Sequence, residues 1–462
     1  MSRLAREATG WLLVAALVYA PWDYGATSAT AIRHLNWVLG VAFVLWLVSL
    51  ADLRGRRFPS FFLVTISALL LLLGWGMALN AHALFDTGYS LFMPIASPLP
   101  GAPGSVCYAL SLATARRATI LLGCIWVVTD LAQEPRWLLR MCWSIALAGG
   151  SIALFGLLQK ATGAEMMFWA PLEPGEPPVK TFFATYYYHG NAGAFLNLVL
   201  PAVIGLAYRS VTRPSNPVPR ALSLTLSLIM MVAVISNTSR MGQFIAALII
   251  IVLLFLSGGK LFRRLKALEM KTALIGLVVG LLALWAIIGV SHLDQSLGRW
   301  EQFRDSWAND ARWLVDKAAL ASLSQAGLFG FGPGTFPAVF PRYNLDERTQ
   351  DVWLYLHNDH LQTIMEWGWL GALLWDALFV GGMLVALCGL LTKRIATPWL
   401  PRQRLSATLG LVALLGVALH GLVDFPLQIY SIQLYTATYL GFCWGSMRWR
   451  ERSRLAAANS RP

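Results

Sequence analysis

Apolar runs of about 18 to 25 residues, the length that crosses a bilayer core as a helix, recur along the whole chain. The 462 residues are 57% hydrophobic and only 13% charged, with a mean hydropathy of +0.59. A soluble domain carries roughly 25% charged residues, and a soluble chain of this length would divide into several domains. The sequence therefore predicts an all-α polytopic membrane protein. Its twelve expected spans are 9–24, 31–53, 58–80, 113–131, 137–159, 188–208, 221–236, 242–257, 272–291, 361–391, 405–424 and 429–446. The tenth is too long for one straight crossing, so its first turns are expected to stand proud of the bilayer.

A net charge of +13 raises the question of nucleic acid. The basic residues, however, sit in short clusters between apolar runs, which is the positive-inside pattern and needs no nucleic-acid partner. With the N-terminus in the cytoplasm, the seven cytoplasmic segments hold 24 of the 36 Lys and Arg. That bias predicts an even helix count with both ends inside. The N-terminal stretch also resembles a signal peptide, with Arg3 and Arg6 before a short apolar run and "ATSATA" as a cleavage site. The even count favours an uncleaved first helix. The five cysteines form no CxxC, and neither a metal site nor a disulfide framework is expected.

Two long loops fall on the outer side. Residues 81–112 are rich in Pro and Gly. Residues 292–360 mix apolar and charged residues at helical spacing, which predicts one or two amphipathic surface helices, followed by the turn-rich "GLFGFGPGTF". An enzyme working there has no ATP, so its donor must arrive activated, and a polyprenyl pyrophosphate sugar fits. That chemistry needs a base for the acceptor hydroxyl and positive charge for the departing phosphates. Histidine suits the first role. Arginine suits the second, because its planar fork binds phosphate through two hydrogen bonds.

The outer side offers both. His357 sits where the large loop meets the tenth span, beside Asn358 and His360. Arg240 lies in the tight turn before the eighth span, and Arg299, Arg304 and Arg312 lie along the surface helix. Arg116 and Arg117 are expected to open the fourth span. No paired carboxylates of the DxD type occur in the outer loops, so arginines are expected to replace a metal. Each residue also has a plainer reading. His357 reads equally as an interfacial residue at a helix cap formed by Asn358 or Asp359, Arg240 as a snorkelling helix-end residue, and Arg312 as part of a solvated face. "GFGPG" lacks the Lys and Ser/Thr of a P-loop. Trp367, Trp369 and Trp375 read as an interfacial belt. Three tyrosines, His189 and Asn191, in "TYYYHGNAGAF", enter a span together as polar groups, which marks either function or helix-to-helix hydrogen bonding.

Several stretches together resemble the O-antigen ligase and polymerase superfamily. "HNDHLQTIMEWGWLG" is similar to its signature: His357 and Asn358, nine residues, then Gly368 and Gly371. "SRMG" at 239–242 resembles the family's Ser-Arg element. "DARWLVDKAALASLSQAGLFGFGPGTF" resembles its arginine-bearing loop helix and glycine turn, "HGLVDFPLQ" its later His-to-Asp-Phe element, and "YYYHGNAGAFLNLVLP" its Asn-containing span. The likeness covers roughly residues 180 to 445.

The resemblance implies a GT-C-like membrane glycosyltransferase of about twelve helices with one large periplasmic loop domain of short helices. Residues 1–180 would form the N-terminal five helices, 181–446 the catalytic region with its loop at 292–360, and 447–462 a basic cytoplasmic tail. It implies the bacterial inner membrane, no cofactor, and a metal-independent, inverting transfer of a glycan from undecaprenyl pyrophosphate to an acceptor hydroxyl. His357 would be the base. Arg240 and Arg312, with Arg299, would hold the pyrophosphate. Asn358, His360, His189, Asn191 and Asp424 would support them. Asp424 is placed one helical turn after His420, on the same face. The acceptor would be lipid A–core for a ligase, another repeat unit for a polymerase, or a protein Ser or Thr for an oligosaccharyltransferase. A lipid-linked glycan transporter is the reading from another class. The topology is testable by reporter fusions. A fusion after residue 330 should report the periplasm and one after residue 455 the cytoplasm, and a cytoplasmic signal at 330 overturns the orientation.

Overall fold

The computed structural model describes residues 2–51, 58–86, 91–171, 181–213, 216–266, 311–344, 353–392 and 399–449, with a few single residues between (88, 297, 298, 300, 301, 346 and 349). It is a helical bundle. The long helices are α1 (Ser2–Trp22), α2 (Ala29–Ser49), α3 (Phe61–Leu79), α4 (Tyr108–Leu131), α5 (Pro135–Ala161), α6 (His189–Thr212), α7 (Pro217–Ser236), α8 (Arg240–Lys266), α9 (Ala311–Ala326), α10 (Asp359–Leu391), α11 (Pro401–His420) and α12 (Tyr430–Gly445). Nine of those described are long and apolar enough to cross a membrane. Two further expected spans are the helices α1 and α12. The first two turns of α1 carry Arg3, Arg6 and Glu7, and α12 has only 16 residues. The expected span at 272–291 lies outside the described residues.

Local chemistry sets the helix starts. Ser28 and Ser60 cap α2 and α3 by accepting from the amides of Ala31 and Leu63. Proline occupies the first turn of α5, α7 and α11, where its missing N–H costs nothing. The centre of the bundle is α6, buried along nearly its whole length and packed against α5, α7, α8 and α11. Small residues let these helices approach, as membrane bundles require. A Cβ on Gly149 would run into Val199, one on Gly205 into Leu409, and one on Gly242 would meet Gly193 Cα at 3.0 Å. At one end of the bundle Arg6, only 6% exposed, donates to Asp130 Oδ2 at 2.9 Å and also pairs with Glu134, which ties α1 to the α4–α5 turn.

The opposite end carries the signature residues. Here α10 is interrupted: Gly368 has φ 66° and ψ −179°, a conformation essentially reserved for glycine. Backbone groups freed at such a break must find partners in a bilayer. The glycine-rich loop supplies them. Phe331 N donates to Met365 O at 3.0 Å, Gly332 N to Glu366 O at 2.9 Å, and Leu370 N to Leu328 O at 3.0 Å. The Glu366 carboxylate accepts from the amides of Gly334 (2.9 Å) and Phe336 (3.2 Å) and from Gln362 Nε2 (2.9 Å). A Cβ on Gly330 would strike Glu366 O, and one on Gly368 would strike Leu328 O. The break thus divides α10 into an upper segment at the bundle end and a long apolar segment below.

Two expectations need correcting. Helix α4 starts at Tyr108, so Arg116 and Arg117 lie more than two turns inside it and do not open it. The 81–112 loop contains an antiparallel hairpin, Ala83–Asp86 with Leu91–Pro94, beside an Asn80 side chain that bonds the carbonyls of Leu99, Ala102 and Pro103. Gly368→Ala forces a side chain into a backbone conformation that costs about 1–3 kcal/mol before any clash. It should lower the melting temperature and expose residues 327–336 to proteolysis. Gly258→Ala, at a helix position with open space around it, should be harmless or mildly stabilising. Equal melting of the two variants would show that the break is not a structural joint.

Candidate functional site

Six chain segments meet at this end: the start of α6, the α7–α8 turn, the start of α9, the glycine loop, the mouth of α10 and the α11–α12 loop. His357 sits one residue ahead of the cap of α10. Asn358 is that cap, its Oδ1 accepting from Leu361 N at 3.1 Å. Asp359 fastens the mouth to the α11–α12 loop. Its amide donates to Gly421 O at 2.8 Å, and its carboxylate accepts from Leu427 N at 2.7 Å and Gln428 Nε2 at 2.9 Å. His360 Nε2 bonds Ala418 O at 3.0 Å and fixes α11.

These clamps bring Asp424 beneath His357. His357 Nδ1 lies 3.0 Å from Asp424 Oδ1, which also accepts from Phe425 N at 3.1 Å. The other carboxylate oxygen accepts from Tyr188 Oη at 3.1 Å, and that hydroxyl accepts from Arg312 Nη2 at 2.8 Å. Arg312 Nη1 reaches Val423 O at 3.4 Å. A Cβ on Gly190 would run into Asp424 Oδ2 and the Tyr188 ring, so the glycine makes room for this approach. Rings box the imidazole edge-on: Phe425 at 4.8 Å, Trp353 at 5.5 Å and Tyr188 at 6.0 Å.

The electrostatics follow from the contacts. Burial of Asp424, 3% exposed, opposes ionisation. The hydrogen bond from His357 and the charges of His357, His420 and Arg312 outweigh it, and the carboxyl is held below its usual range. Burial pushes the Tyr188 phenol up, with Asp424 adding to the shift and Arg312 opposing it. Tyr188 is therefore a neutral hydroxyl that donates to the carboxylate and accepts from the guanidinium. With an ionised Asp424 accepting, the proton of His357 belongs on Nδ1 and Nε2 is the basic nitrogen.

The remaining expected residues fall as follows. Arg240 begins α8, where Gly193 and Gly242 bring α6 and α8 together and Asn237 Nδ2 donates to His189 O at 3.0 Å; its backbone is thereby at the same bundle end as Tyr188. His189 is buried with its ring against Tyr188 at 4.8 Å. Asn191, one turn start away, is buried with its Oδ1 unbonded among the described residues. Arg299 and Arg304 lie outside the described residues. Asp424 does not share a helix face with His420: α11 ends at His420, and the loop turns Asp424 back to within 3.9 Å of that ring. Tyr188 was not singled out by the sequence. Its signal is the "YYYHG" run before a span, with a glycine two residues on.

Fold and site together define a polytopic helical membrane protein with a His–Asp pair and an arginine at one bundle end. Residues 225–375 match the family model described as O-Antigen ligase, which supports the resemblance to the O-antigen ligase and polymerase superfamily. No curated protein matches the chain. The matched stretch contains Arg240, Arg312, His357 and the Gly368–Gly371 pair. Tyr188 and Asp424 lie outside it and join the site through geometry. Activity of the ligase-or-polymerase type is the function this family carries. Tyr188→Phe removes the one hydroxyl shared by Asp424 and Arg312, leaving a buried carboxylate oxygen short of a donor. The protein should lose about 1–3 kcal/mol of stability, read as a lower melting temperature in detergent. An unchanged melting curve would show that the hydroxyl does not bridge them.

Proposed function

We propose that the protein is an inverting, metal-independent glycosyltransferase that moves a glycan from undecaprenyl pyrophosphate to an acceptor hydroxyl at the periplasmic face of the inner membrane. An O-antigen ligase is the preferred reading, with lipid A–core as acceptor. The observation that carries it is the His357–Asp424 hydrogen bond, which orients an imidazole at the mouth of a membrane helix. His357 Nε2 takes the proton of the acceptor hydroxyl. The freed oxygen attacks the anomeric carbon in line and forms the new glycosidic bond. The bond from that carbon to the pyrophosphate oxygen breaks, its electron pair stays with the phosphate, and undecaprenyl pyrophosphate leaves. Arg312 and Arg240 carry the charge that this departing group needs. Asp424 orients the imidazole and stabilises the imidazolium as it forms. Polymerase and protein oligosaccharyltransferase readings use the same chemistry with another acceptor. Glycan analysis of a deletion strain separates them: loss of capped lipopolysaccharide with intact lipid-linked polymer marks a ligase, and accumulated single repeat units mark a polymerase.

His357→Ala should cost about 10² to 10⁴ in turnover while the protein still folds and inserts. Asp424→Asn should cost a comparable factor, because an amide can favour the wrong tautomer; in the Ser-His-Asp triad the same exchange costs about 10⁴. Near-normal turnover of either variant in a purified assay removes the pair from the mechanism. Arg240→Ala and Arg312→Ala should weaken binding of undecaprenyl pyrophosphate in the absence of acceptor. Each Arg→Lys change should restore only part of it, because the charge returns without the fork. Wild-type donor affinity in both alanine variants leaves the plainer readings, a helix-end arginine and a solvated one.

A further inference from the structure

A strained aromatic shelf lies beside the site, where the C-terminal ends of α1 and α5 meet the start of α6. Among the described residues, five that are not glycine have left-handed backbone: Tyr24 (φ 50°), Ala26 (φ 59°), Phe168 (φ 56°), Trp169 (φ 54°) and Ala184 (φ 54°). They come from three separate stretches of chain, and all five belong to this one corner. The Tyr24 ring meets the Phe168 ring at 5.1 Å. Gln159, buried near the end of α5, joins the Phe168 stretch to the Ala184 stretch. With its amide turned to match donors to acceptors, Nε2 donates to Ala184 O at 3.0 Å and Oε1 accepts from Phe168 N at 2.9 Å. Thr185 Oγ1 donates to Pro21 O at 2.5 Å and closes the circuit back to α1.

Left-handed backbone is costly for a residue with a Cβ. It persists only where the surroundings force it, and it gathers at ligand sites. What the strain holds up here is a row of rings. Tyr24 stacks on Tyr187 at 5.4 Å with 15° between planes, and Phe168 and Trp169 pack on Phe155 at 5.3 Å and 5.5 Å. Trp169 Nε1 donates to Thr162 Oγ1 at 2.8 Å, which fixes its ring. Tyr187 is 53% exposed and Trp169 47%. No described residue bonds the hydroxyl of Tyr24 or Tyr187. An interfacial belt of Trp and Tyr needs no such backbone, because ordinary helical residues at the ends of spans build it. A sugar site is served by it. The C–H face of a sugar ring carries partial positive charge and packs on the negative face of an aromatic ring, while its hydroxyls bond free phenol hydroxyls at the rim. The shelf is also continuous with the site. Tyr187 precedes Tyr188, whose hydroxyl accepts from Arg312. The backbone at Tyr188 is extended, so the two rings leave the chain on opposite sides, one toward the His–Asp pair and one onto the shelf.

We infer that the rings of Tyr24, Tyr187 and Trp169 form a subsite for sugar residues of the donor glycan, next to the arginine that faces its pyrophosphate. The ligand is a run of sugar rings, recognised by their C–H faces and hydroxyls, so the shelf reads the glycan and not the lipid that carries it. This assignment rests on the glycosyl-transfer reading and adds a glycan subsite to it.

The test is a binding measurement in the His357→Ala protein in nanodiscs, where no turnover occurs. The probes are the lipid-linked glycan purified from the deletion strain, bare undecaprenyl pyrophosphate, and lipid A–core. Tyr187→Ala and Trp169→Ala should each weaken the lipid-linked glycan about tenfold, the size of loss an aromatic contact gives, and leave the other two probes unchanged. Tyr187→Phe keeps the ring face and loses one hydrogen bond, so it should stay within about threefold of the parent. Both side chains are exposed, which keeps the risk to folding small, and unchanged affinity for bare undecaprenyl pyrophosphate checks it. Unchanged affinity for the lipid-linked glycan in both alanine variants overturns the proposal. So does an equal loss for bare undecaprenyl pyrophosphate, the result an interfacial belt would give, and so does a loss confined to lipid A–core, which would make the shelf an acceptor subsite. Because binding is read without turnover, each of these results leaves the transfer chemistry at His357 standing.

Discussion

The pairing of the glycine-rich loop with the broken backbone of α10 is the joint on which the site depends. A helix interrupted in a bilayer leaves amides and carbonyls that water cannot reach. The loop fills that need with its own backbone, and only glycine fits at Gly330 and Gly368, where each would otherwise drive a Cβ into the other strand. Once docked, the loop fixes the surface helix before it. Val315 and Ala319 of α9 pack with Phe336 and Phe340 of the following turn and with Leu361 and Met365 of upper α10. That cluster sets the N-terminal end of α9 over the Asp424 loop, and so puts Arg312 within reach of Tyr188. The two halves of the family signature thus have different physical jobs. Its Gly368 forms the joint, and its histidine stands on what the joint holds still.

Much of this was legible in the sequence. Eleven of the twelve expected spans coincide with described helices, and for nine of them hydrophobic length alone is enough to mark the span. The stripe that buries Val315, Ala319, Ser322 and Ala326 follows from helical spacing in the loop. What periodicity cannot give is the route of a chain outside regular structure. The three tyrosines before α6 show the difficulty. Tyr186 is buried on Ser431, Tyr187 stacks on Tyr24, and Tyr188 alone turns to Asp424. Nothing in "YYY" ranks them. The helical register from His420 to Asp424 does not place Asp424, since the helix has already ended. The hairpin at 83–94 was hidden by the Pro and Gly content of its loop, although "ALFD" and "LFMP" flank a turn-like "TGYS".

The neutral hydroxyl between Asp424 and Arg312 explains how one buried carboxylate serves two partners. In direct contact, the arginine's planar fork would engage both carboxylate oxygens and leave the imidazole without its acceptor. With Tyr188 interposed, Oδ1 goes to His357 and Oδ2 to the phenol. The guanidinium charge still lies close enough to help keep the carboxylate ionised. The stacking of Tyr188 on Phe425, at 5.5 Å and 11° between planes, fixes where that hydroxyl can stand. Phe425 also walls the imidazole at 4.8 Å. A single residue of the α11–α12 loop thus restrains both the His357 ring and the Tyr188 ring that keeps the arginine from claiming its carboxylate. Asp359 anchors that loop by gripping Leu427 and Gln428. The His357 ring is therefore held by contacts that run from the mouth of α10, through the loop, and back to the same helix.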